Sequence, residues 1–332
     1  MFFSEVDNTF AEEIRKVLPV SMALERERLW PFIEAAERKY IYPILGKDLY
    51  EETQKVITDA GSGSLGSGDE DAAKVKELIR LIQIAELNLA YYVGFDVIGV
   101  KISDAGFQRV ESEKIKGLYK YQEINLRTYF AETGFNGIDD ILQYLEGNIE
   151  HFPEWEECPA NIMRQKMVIK DADSFNLICD INRSRLTFLR LIPFMSQVVD
   201  MEIIAAVGQT VWDNLMAAIT SESPEAKYVA LMPHVQKPLA FLSAALLVLN
   251  TGDLTFRGLY FESRNSLYPD PSTSRPAEGD SLALRYKYYR DSGIQYLESL
   301  KQYLIRNAFA EYSGQSGSIY NRDNDGKKTF VA

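Results

Sequence analysis

The sequence predicts a mainly α-helical protein made of two tandem helical bundles with short β-hairpin arms. Three observations predict this fold: one stretch that occurs twice, long apolar helical segments, and a short alternating segment after each long helix. The stretch at 28–50 recurs without a gap at 190–212. Its identical pairs are Arg28/Arg190, Leu29/Leu191, Pro31/Pro193, Phe32/Phe194, Ile41/Ile203 and Gly46/Gly208. The sequence therefore predicts two copies of one architecture.

Each half is expected to open with helices. Asn8 or Thr9 suits the cap of a first helix that begins near Phe10. A second helix, from about Ser21, carries apolar residues at helical spacing. Pro31 lies inside that pattern, as Pro193 does in the second copy, and it should kink or restart the helix because proline lacks the backbone N–H.

Gly46 and Gly208 are expected to break the chain direction in each half. Each supplies either a left-handed helix stop or a close backbone approach, before a helix that opens at Lys47 or Gln209. After the Gly/Ser-rich loop at 61–70, a long central helix is predicted. The long helices are expected at 72–93 and 226–250. The stretch between the repeated segment and the long helix is nine residues shorter in the second half, which is about the size of that loop.

Alternating segments at 100–112 and 254–263 predict one short hairpin per half, with glycine at the turn. A two-stranded hairpin is barely stable alone, so we expect these arms to pair with a partner such as a neighbouring subunit. Tyr-rich amphipathic helices then close each half: two at 119–130 and 138–147, and one in the second half. The boundaries are 1–150 for the first repeat, 151–312 for the second and 313–332 for an extended C-terminal tail.

The segment that joins the halves contains two further expectations. A short strand is predicted at 166–170, where the sequence is KMVIK. A helix that carries Phe175 should begin at Asp173 or Ser174 and parallel the Phe10 helix of the first half.

Composition favours a soluble globular protein with no membrane segment. The 332 residues are 46% hydrophobic and 25% charged, and their net charge is −12. That charge argues against a protein that wraps duplex DNA, which needs clustered Lys and Arg, but it suits a wall past which DNA slides. The first ten residues do not resemble a signal peptide, and the longest apolar stretch, 239–249, is too short for a membrane span. We expect synthesis in a cytoplasm-like compartment.

The sequence offers no convincing chemistry for catalysis or metal binding. Cys158 and Cys179 have no partner at zinc spacing, and His151 and His234 fall in unrelated contexts. The segment 321–326 resembles the start of a calcium loop, but position twelve is alanine, which favours a polar turn. The carboxylate pairs are expected at helix starts or on solvated faces: Asp139/Asp140 and Glu156/Glu157. We therefore predict no catalytic residue, no metal, no cofactor and no enzyme.

Tyrosine is unusually frequent, with 19 residues in the chain, and many lie in the closing helices. One interpretation is bundle packing with the hydroxyls at the water boundary. The other is that some of these tyrosines lie in protein–protein interfaces, where Tyr is enriched. The absence of a recognisable active site favours the second interpretation for part of the set.

The repeated pattern resembles the head-to-tail connector, or adaptor, proteins of tailed bacteriophages. It runs L-x-P-F-[IM], then P-x-L-G-x-x-L-Y, a long helix, the I-x-D-x-G segment at 102–106 and a Tyr-rich closing helix. The chain is most similar to an uncharacterised family of tandemly duplicated phage proteins. In that family the second copy begins with F-x-x-W and S-x-x-x-F, which here are Phe152/Trp155 and Ser184/Phe188.

The resemblance implies a virion structural protein assembled in the host cytoplasm. It implies a ring, commonly of twelve copies, that docks below the portal, contacts further neck or tail ring proteins and passes DNA through its lumen without sequence-specific binding. The arms and tail are then expected to make the contacts between subunits or with the portal. The residues assigned to these contacts are Asp104, Gly106, Phe107, Gly258, Tyr260, Tyr320, Phe330 and Val331.

Two other function classes remain open at the level of the sequence. One is a bacterial helical scaffold or ligand-binding module, which would be expected to contain more than two repeats. The other is a metal-independent enzyme with a helical pocket, which would be expected to gather perturbed polar groups in a cleft.

Overall fold

The computed structural model describes residues 2–4, 6–19, 26–61, 70–98, 100–103, 106–109, 118–221, 223–251, 260–261, 275–276, 279–309 and 312. Within this part of the chain the protein is mainly α. The helices are α1 Asp7–Val17, α2 Arg26–Ala36, α3 Tyr42–Leu45, α4 Lys47–Gly61, α5 Glu70–Ile98, α6 Lys120–Gly147, α7 Pro153–Glu156, α8 Pro159–Gln165, α9 Ala172–Asn176, α10 Arg185–Val198, α11 Ile204–Val207, α12 Gln209–Thr220, α13 Ala226–Thr251 and α14 Gly279–Arg306. The short strands are β1 Val100–Ser103, β2 Gly106–Arg109, β3 Tyr260–Phe261 and β4 Arg275–Pro276.

Apolar side chains form two separate hydrophobic clusters. The first gathers buried residues between Phe2 and Cys158, and the second gathers buried residues between Met167 and Phe309. The long helix α5 is central to the first cluster and packs against α2 and α6; α13 is central to the second and packs against α10 and α14. Both long helices bury apolar residues on several faces, which is why they have little amphipathic character.

The F-x-x-W motif packs with the first cluster, although the sequence assigned it to the second repeat. Phe152 and Trp155 are almost completely buried there, together with Cys158. The short helix α7, which carries Trp155, lies against α4. The cores therefore change between 158 and 167, and not at 150.

The helices continue through Pro31 and Pro193, so neither proline restarts its helix. In both halves the regular helix instead widens farther on, into π-helical segments at Glu37–Ile41 and Val199–Ile203. A π segment places one extra residue in the helical turn, and such segments are frequent at functional sites.

Gly46 and Gly208 have positive φ angles of 75° and 87°, with extended ψ angles of 169° and 148°. This backbone region is reached almost only by glycine, because a side chain would clash there. Helices on either side of Gly208 meet at a bend of 116°. Of the two expected roles, a tight change of direction applies to both glycines, and at Gly46 an added Cβ would also lie 3.4 Å from Cys158 Cβ.

Three local predictions are wrong: a helix start, a division between two helices and a strand. Helix α1 begins at Asp7 after Val6, without a side-chain cap from Asn8 or Thr9. The closing helix of the first half is a single helix of 28 residues, because Gly134 and Gly137 face neighbouring side chains and do not end it. Residues 166–169 form a turn and bends in place of the predicted strand, with Met167, Val168 and Ile169 buried in the second cluster.

Each half contains one short antiparallel strand pair in the described residues, and the partner strand in the second half was not predicted. Strands β1 and β2 are antiparallel, and Ile102 pairs with Phe107. In the second half, β3 pairs with β4, so that Tyr260 lies opposite Pro276. Gly258 and the rest of the predicted turn lie outside the described residues, so a pairing across that turn stays a prediction.

Candidate functional surface

Of the residues predicted to make subunit contacts, three lie in described strands. Gly106 and Phe107 are in β2, and Tyr260 is in β3. In the chain, β2 follows the long helix α5 and β3 follows the long helix α13. The other predicted contact residues lie outside the described residues: Asp104, Gly258, Tyr320, Phe330 and Val331.

Exposed apolar side chains gather where α5 ends and α6 begins, beside the β1–β2 pair. Arg127 of α6 makes a 3.2 Å ion pair with Asp96, which brings the two helix ends together. The Tyr119 and Tyr121 rings stack with centroids 5.9 Å apart, and Tyr119 is 71% exposed. We call the following residues the first end surface: Val93, Val97, Leu118, Tyr119, Tyr121, Leu126 and Tyr129.

The corresponding end of the second half carries a similar surface. Leu284 and Tyr288 near the start of α14 are 68% and 61% exposed, and Leu249 near the end of α13 is 56% exposed. These three residues form the second end surface. Behind it, Phe241 lies 5.3 Å from the Tyr296 ring. Both surfaces place large apolar side chains in water, which is typical of a protein–protein contact.

The halves are joined by a polar junction between α6 and the start of α10. The Leu186 N–H donates to Asp139 Oδ1 over 2.8 Å, and the Ser184 hydroxyl donates to the same oxygen over 3.3 Å. Burial raises the pKa of Asp139, while these hydrogen bonds oppose the increase. Asp139 is thus part of an interface, and the expectation that it lies on a solvated face is wrong.

Glu146 extends this junction by binding two arginines. Arg164 Nη1 donates to one carboxylate oxygen over 2.7 Å, and Arg185 Nε donates to the other over 2.9 Å. All three side chains are at most 20% exposed. Leu186 and Leu189 pack against the first hydrophobic cluster beside these charges. The start of the second half is therefore held on α6 by both polar and apolar contacts.

The core of the first half contains a buried glutamate, Glu86, that the sequence did not predict. Glu86 is completely buried, and neither carboxylate oxygen has a hydrogen-bond partner in the described structure. Burial, followed by the nearby charge of Glu37, holds its pKa well above the usual range. The Tyr50 hydroxyl donates to Glu37 over 2.9 Å, and burial raises the pKa of Tyr50. Helix α5 contains three Glu residues, at 70, 77 and 86, and no local sequence pattern indicates that Glu86 is the one that faces inward.

An open cavity of about 290 Å³ lies next to Glu37. Its lining residues are Glu34, Glu37, Arg38, Tyr42 and Tyr50. Among the described residues, no group of three or more His, Cys, Asp or Glu side chains is arranged to hold a metal ion.

The histidines and cysteines lie in separate places in the fold. His151 Nδ1 is 2.7 Å from Asp71, and His234 stacks on Tyr303 with centroids 4.0 Å apart. Burial lowers the pKa of His234, and burial raises the pKa of the Cys179 thiol to about 12. A thiol with so high a pKa is a poor nucleophile at neutral pH.

Within the described part of the chain, two helices are long and apolar enough by length and composition to cross a membrane, 71–98 and 226–250, and the bent pair 185–207 and 209–220 would be a third if it were one span. In the fold, each lies within one of the hydrophobic clusters. The most apolar window of the second is 67% buried by the rest of the protein, and that of the first is 44% buried. Packing inside the protein thus accounts for much of this apolar surface, and the expectation of no membrane stays a prediction.

Residues 41–164 and 269–322 match a family of unknown function, DUF6712. The two segments make up more than half of the chain. The chain belongs to the DUF6712 family. The first segment includes α3–α7 and the second includes α14, so the DUF6712 match contains both closing helices, α6 and α14. Comparison with curated proteins and with solved structures found no match.

Proposed function

We propose that this DUF6712 protein is a virion structural protein of a tailed bacteriophage, built from two tandem helical modules with β-hairpin arms. In this proposal it forms a head-to-tail connector ring below the portal, and the ring contributes to the DNA channel. The protein acts through its surfaces and not as an enzyme. The observation that carries the proposal is the pair of exposed apolar surfaces at corresponding ends of the two halves.

The internal repeat supports two modules. In each half an α-helix that contains proline leads into a π-helical segment and then into a glycine with positive φ. Gln83 donates to the Phe2 carbonyl over 2.7 Å, and Gln236, its counterpart, donates to the Val168 carbonyl over 3.2 Å. The two corresponding glutamines thus each donate to a backbone carbonyl of the segment that precedes the helices of their half, as expected for duplicated modules.

The end surfaces and strand pairs support assembly. In the chain, the β1–β2 pair lies between α5 and α6, and the β3–β4 pair lies between α13 and α14. A strand pair of this size gains stability when it contacts another chain. Contacts between different surfaces of identical subunits close into rings when the rotation between subunits permits. The net charge of −12 suits a lumen that must not retain DNA by binding its phosphates.

The direct test is to mix the purified protein with the portal protein of the phage that encodes it and to image the mixture by negative-stain electron microscopy. We expect rings stacked on the portal, with this protein present in the isolated complex. A protein that stays a monodisperse monomer and forms no rings in that mixture would overturn the proposal.

The tail has its own test, because we propose that 320–332 contributes to subunit or portal contact. Removal of 313–332 should weaken ring formation on the portal, and the helical content should remain as in the full chain. If the shortened protein assembles as well as the full chain, the tail has no part in the contact, while the arms and end surfaces remain candidates.

A further inference from the structure

The closing helices α6 and α14 correspond residue by residue. Both have 28 residues, and a constant offset of 159 aligns their full lengths. An added Cβ would lie 2.7 Å from Leu89 at Gly134 and 2.6 Å from Leu242 at Gly293, so the two glycines have the same role. The identical pairs are Tyr129/Tyr288, Gly134/Gly293, Gln143/Gln302, Tyr144/Tyr303, Leu145/Leu304 and Asn148/Asn307.

One stripe of α6 is covered within the chain. It contains Asp139, Leu142 and Glu146, which share a helix face because they are three or four residues apart. Asp139 and Glu146 bind the start of α10, as described above, and Leu142 is only 2% exposed. The second half thus covers the closing helix of the first half.

The corresponding stripe of α14 is open to solvent. Its residues are Glu298, Lys301 and Ile305. Ile305 is 58% exposed, and the Glu298 and Lys301 side chains are 59% and 34% exposed while they pair with each other over 2.6 Å. Ile305 is therefore exposed to solvent, whereas its counterpart in α6, Glu146, is held in an interface. No third helical half follows α14 in the described structure to cover this stripe.

We propose that this stripe of α14 binds a second copy of the same chain. Within one chain, α6 of the first half contacts the second half; in the proposed contact, α14 of one chain binds the first half of the next chain in the same way. The occupant is the α2 side of the first half of the next copy, because α2 corresponds to α10 at the offset of 162. This inference rests on the proposed function, since it treats the halves as equivalent modules.

Charge supports the choice of a second copy. Glu27 of α2 corresponds to Leu189 of α10, which packs against both hydrophobic clusters at the junction. Glu27 is exposed, and no described cation lies within ion-pair distance of it. The α14 stripe presents Lys301 where α6 has the apolar Leu142. Within the chain, Leu142 belongs to the first hydrophobic cluster and Leu189 packs against that cluster. Between chains, their counterparts Lys301 and Glu27 carry opposite charges, which favours orientation and specificity of association.

Self-association of the full chain, measured by sedimentation velocity over a range of concentrations, tests this contact. We expect association of the natural sequence, and we expect Ile305→Asp to weaken it about tenfold or more, since an apolar residue at the centre of an interface dominates its affinity. Leu177→Asp is the matched control: Leu177 is 88% exposed elsewhere on the chain, so this variant should associate normally. Circular dichroism should show both variants folded.

A charge exchange gives an independent readout. Lys301→Glu alone and Glu27→Lys alone should each weaken association, and an equimolar mixture of the two variants should restore it. A natural sequence that remains monomeric at all soluble concentrations overturns the contact, and so does normal association of Ile305→Asp. Ring formation on the portal is measured separately, so that loss of this contact and loss of the proposed function give different results.

Discussion

Gly134 lets α6 approach α5 at a distance that a larger residue does not permit. An added Cβ would lie 2.7 Å from Leu89 Cγ, inside van der Waals contact. We therefore expect Gly134→Ala to lower the free energy of unfolding by about 1–3 kcal/mol, the usual range for overpacking. Gly147→Ala is the control, because nothing lies within 4 Å of its added Cβ. Urea unfolding should show a loss for the first variant and no loss for the second; equal losses would contradict this account.

Glu86 should make the stability of the protein depend on pH. Its pKa in the folded state is raised, so the folded protein keeps a proton that the unfolded chain releases near the ordinary value of 4.5. The resulting stability is fully present below about pH 4.5 and is lost as the pH rises toward the pKa of the folded state. We expect Glu86→Leu to raise the free energy of unfolding at pH 7 by about 1–3 kcal/mol, since it removes an unpartnered buried carboxyl.

Leucine is a suitable replacement because Leu239 of α13 is the counterpart of Glu86, at the same offset of 153 that relates Gln236 to Gln83, and Leu239 is completely buried. Urea unfolding at several pH values between 4.5 and 8 should show that the advantage of Glu86→Leu decreases as the pH falls. Glu86→Gln removes the ionisable group but keeps a side chain of similar shape. The free energy of unfolding of this variant should therefore depend less on pH than that of the natural protein, even if its value differs from that of Glu86→Leu. The prediction is contradicted if the free energy of unfolding of the natural protein rises with pH over this range and changes by the same amount as that of both variants.

At the residue scale, sequence reasoning found some of these positions and missed others. Gly46 and Gly208 were predicted as breaks because they interrupt a repeated helical pattern. Gly134 was not recognised, because a glycine that permits close helix packing looks in the sequence like a helix end. The inward orientation of Glu86 depends on helices that cover α5 from several sides, and no local pattern records that arrangement.

At the element scale, the α6–α10 junction should couple the two halves. Asp139→Ala leaves the Leu186 N–H without its acceptor, which should cost about 1–3 kcal/mol of unfolding free energy. Asp140 is the neighbouring, exposed carboxylate, and Asp140→Ala should change stability by less than about 0.5 kcal/mol. Thermal unfolding followed by calorimetry is the measurement. If the two alanine variants behave alike, the hydrogen bonds at Asp139 do not hold the junction.

Helices were predictable at this scale, whereas long-range pairings were not. The 3.6-residue period located the long helices, although α5 and α6 extend farther than expected. Tyr260 pairs with Pro276 of another strand, and strand pairing of that kind is set by tertiary structure and not by the alternation of one segment. The junction residues were missed for the same reason, since Ser184 and Asp139 meet only in the folded chain.

At the scale of the whole molecule, the end surfaces should determine assembly. Tyr129 and Tyr288 are counterparts and are 50% and 61% exposed. Tyr129→Asp and Tyr288→Asp should each weaken ring formation on the portal about tenfold or more, because a charge replaces an aromatic side chain in a contact. Folding should be unaffected, as judged by thermal unfolding. Leu177→Asp again serves as the control, and normal assembly of both tyrosine variants would exclude the end surfaces from the contact.

The α6–α10 junction also bears on how quickly such a ring could form. Within one chain the two contacting surfaces are joined covalently, so that they meet at a high effective concentration whatever the amount of protein. In the proposed ring, every second contact of this kind is made during folding, before any two chains meet. Only the remaining contacts pay the entropy of association. A fused pair of modules should therefore close a ring at lower protein concentrations than the same modules made as separate chains.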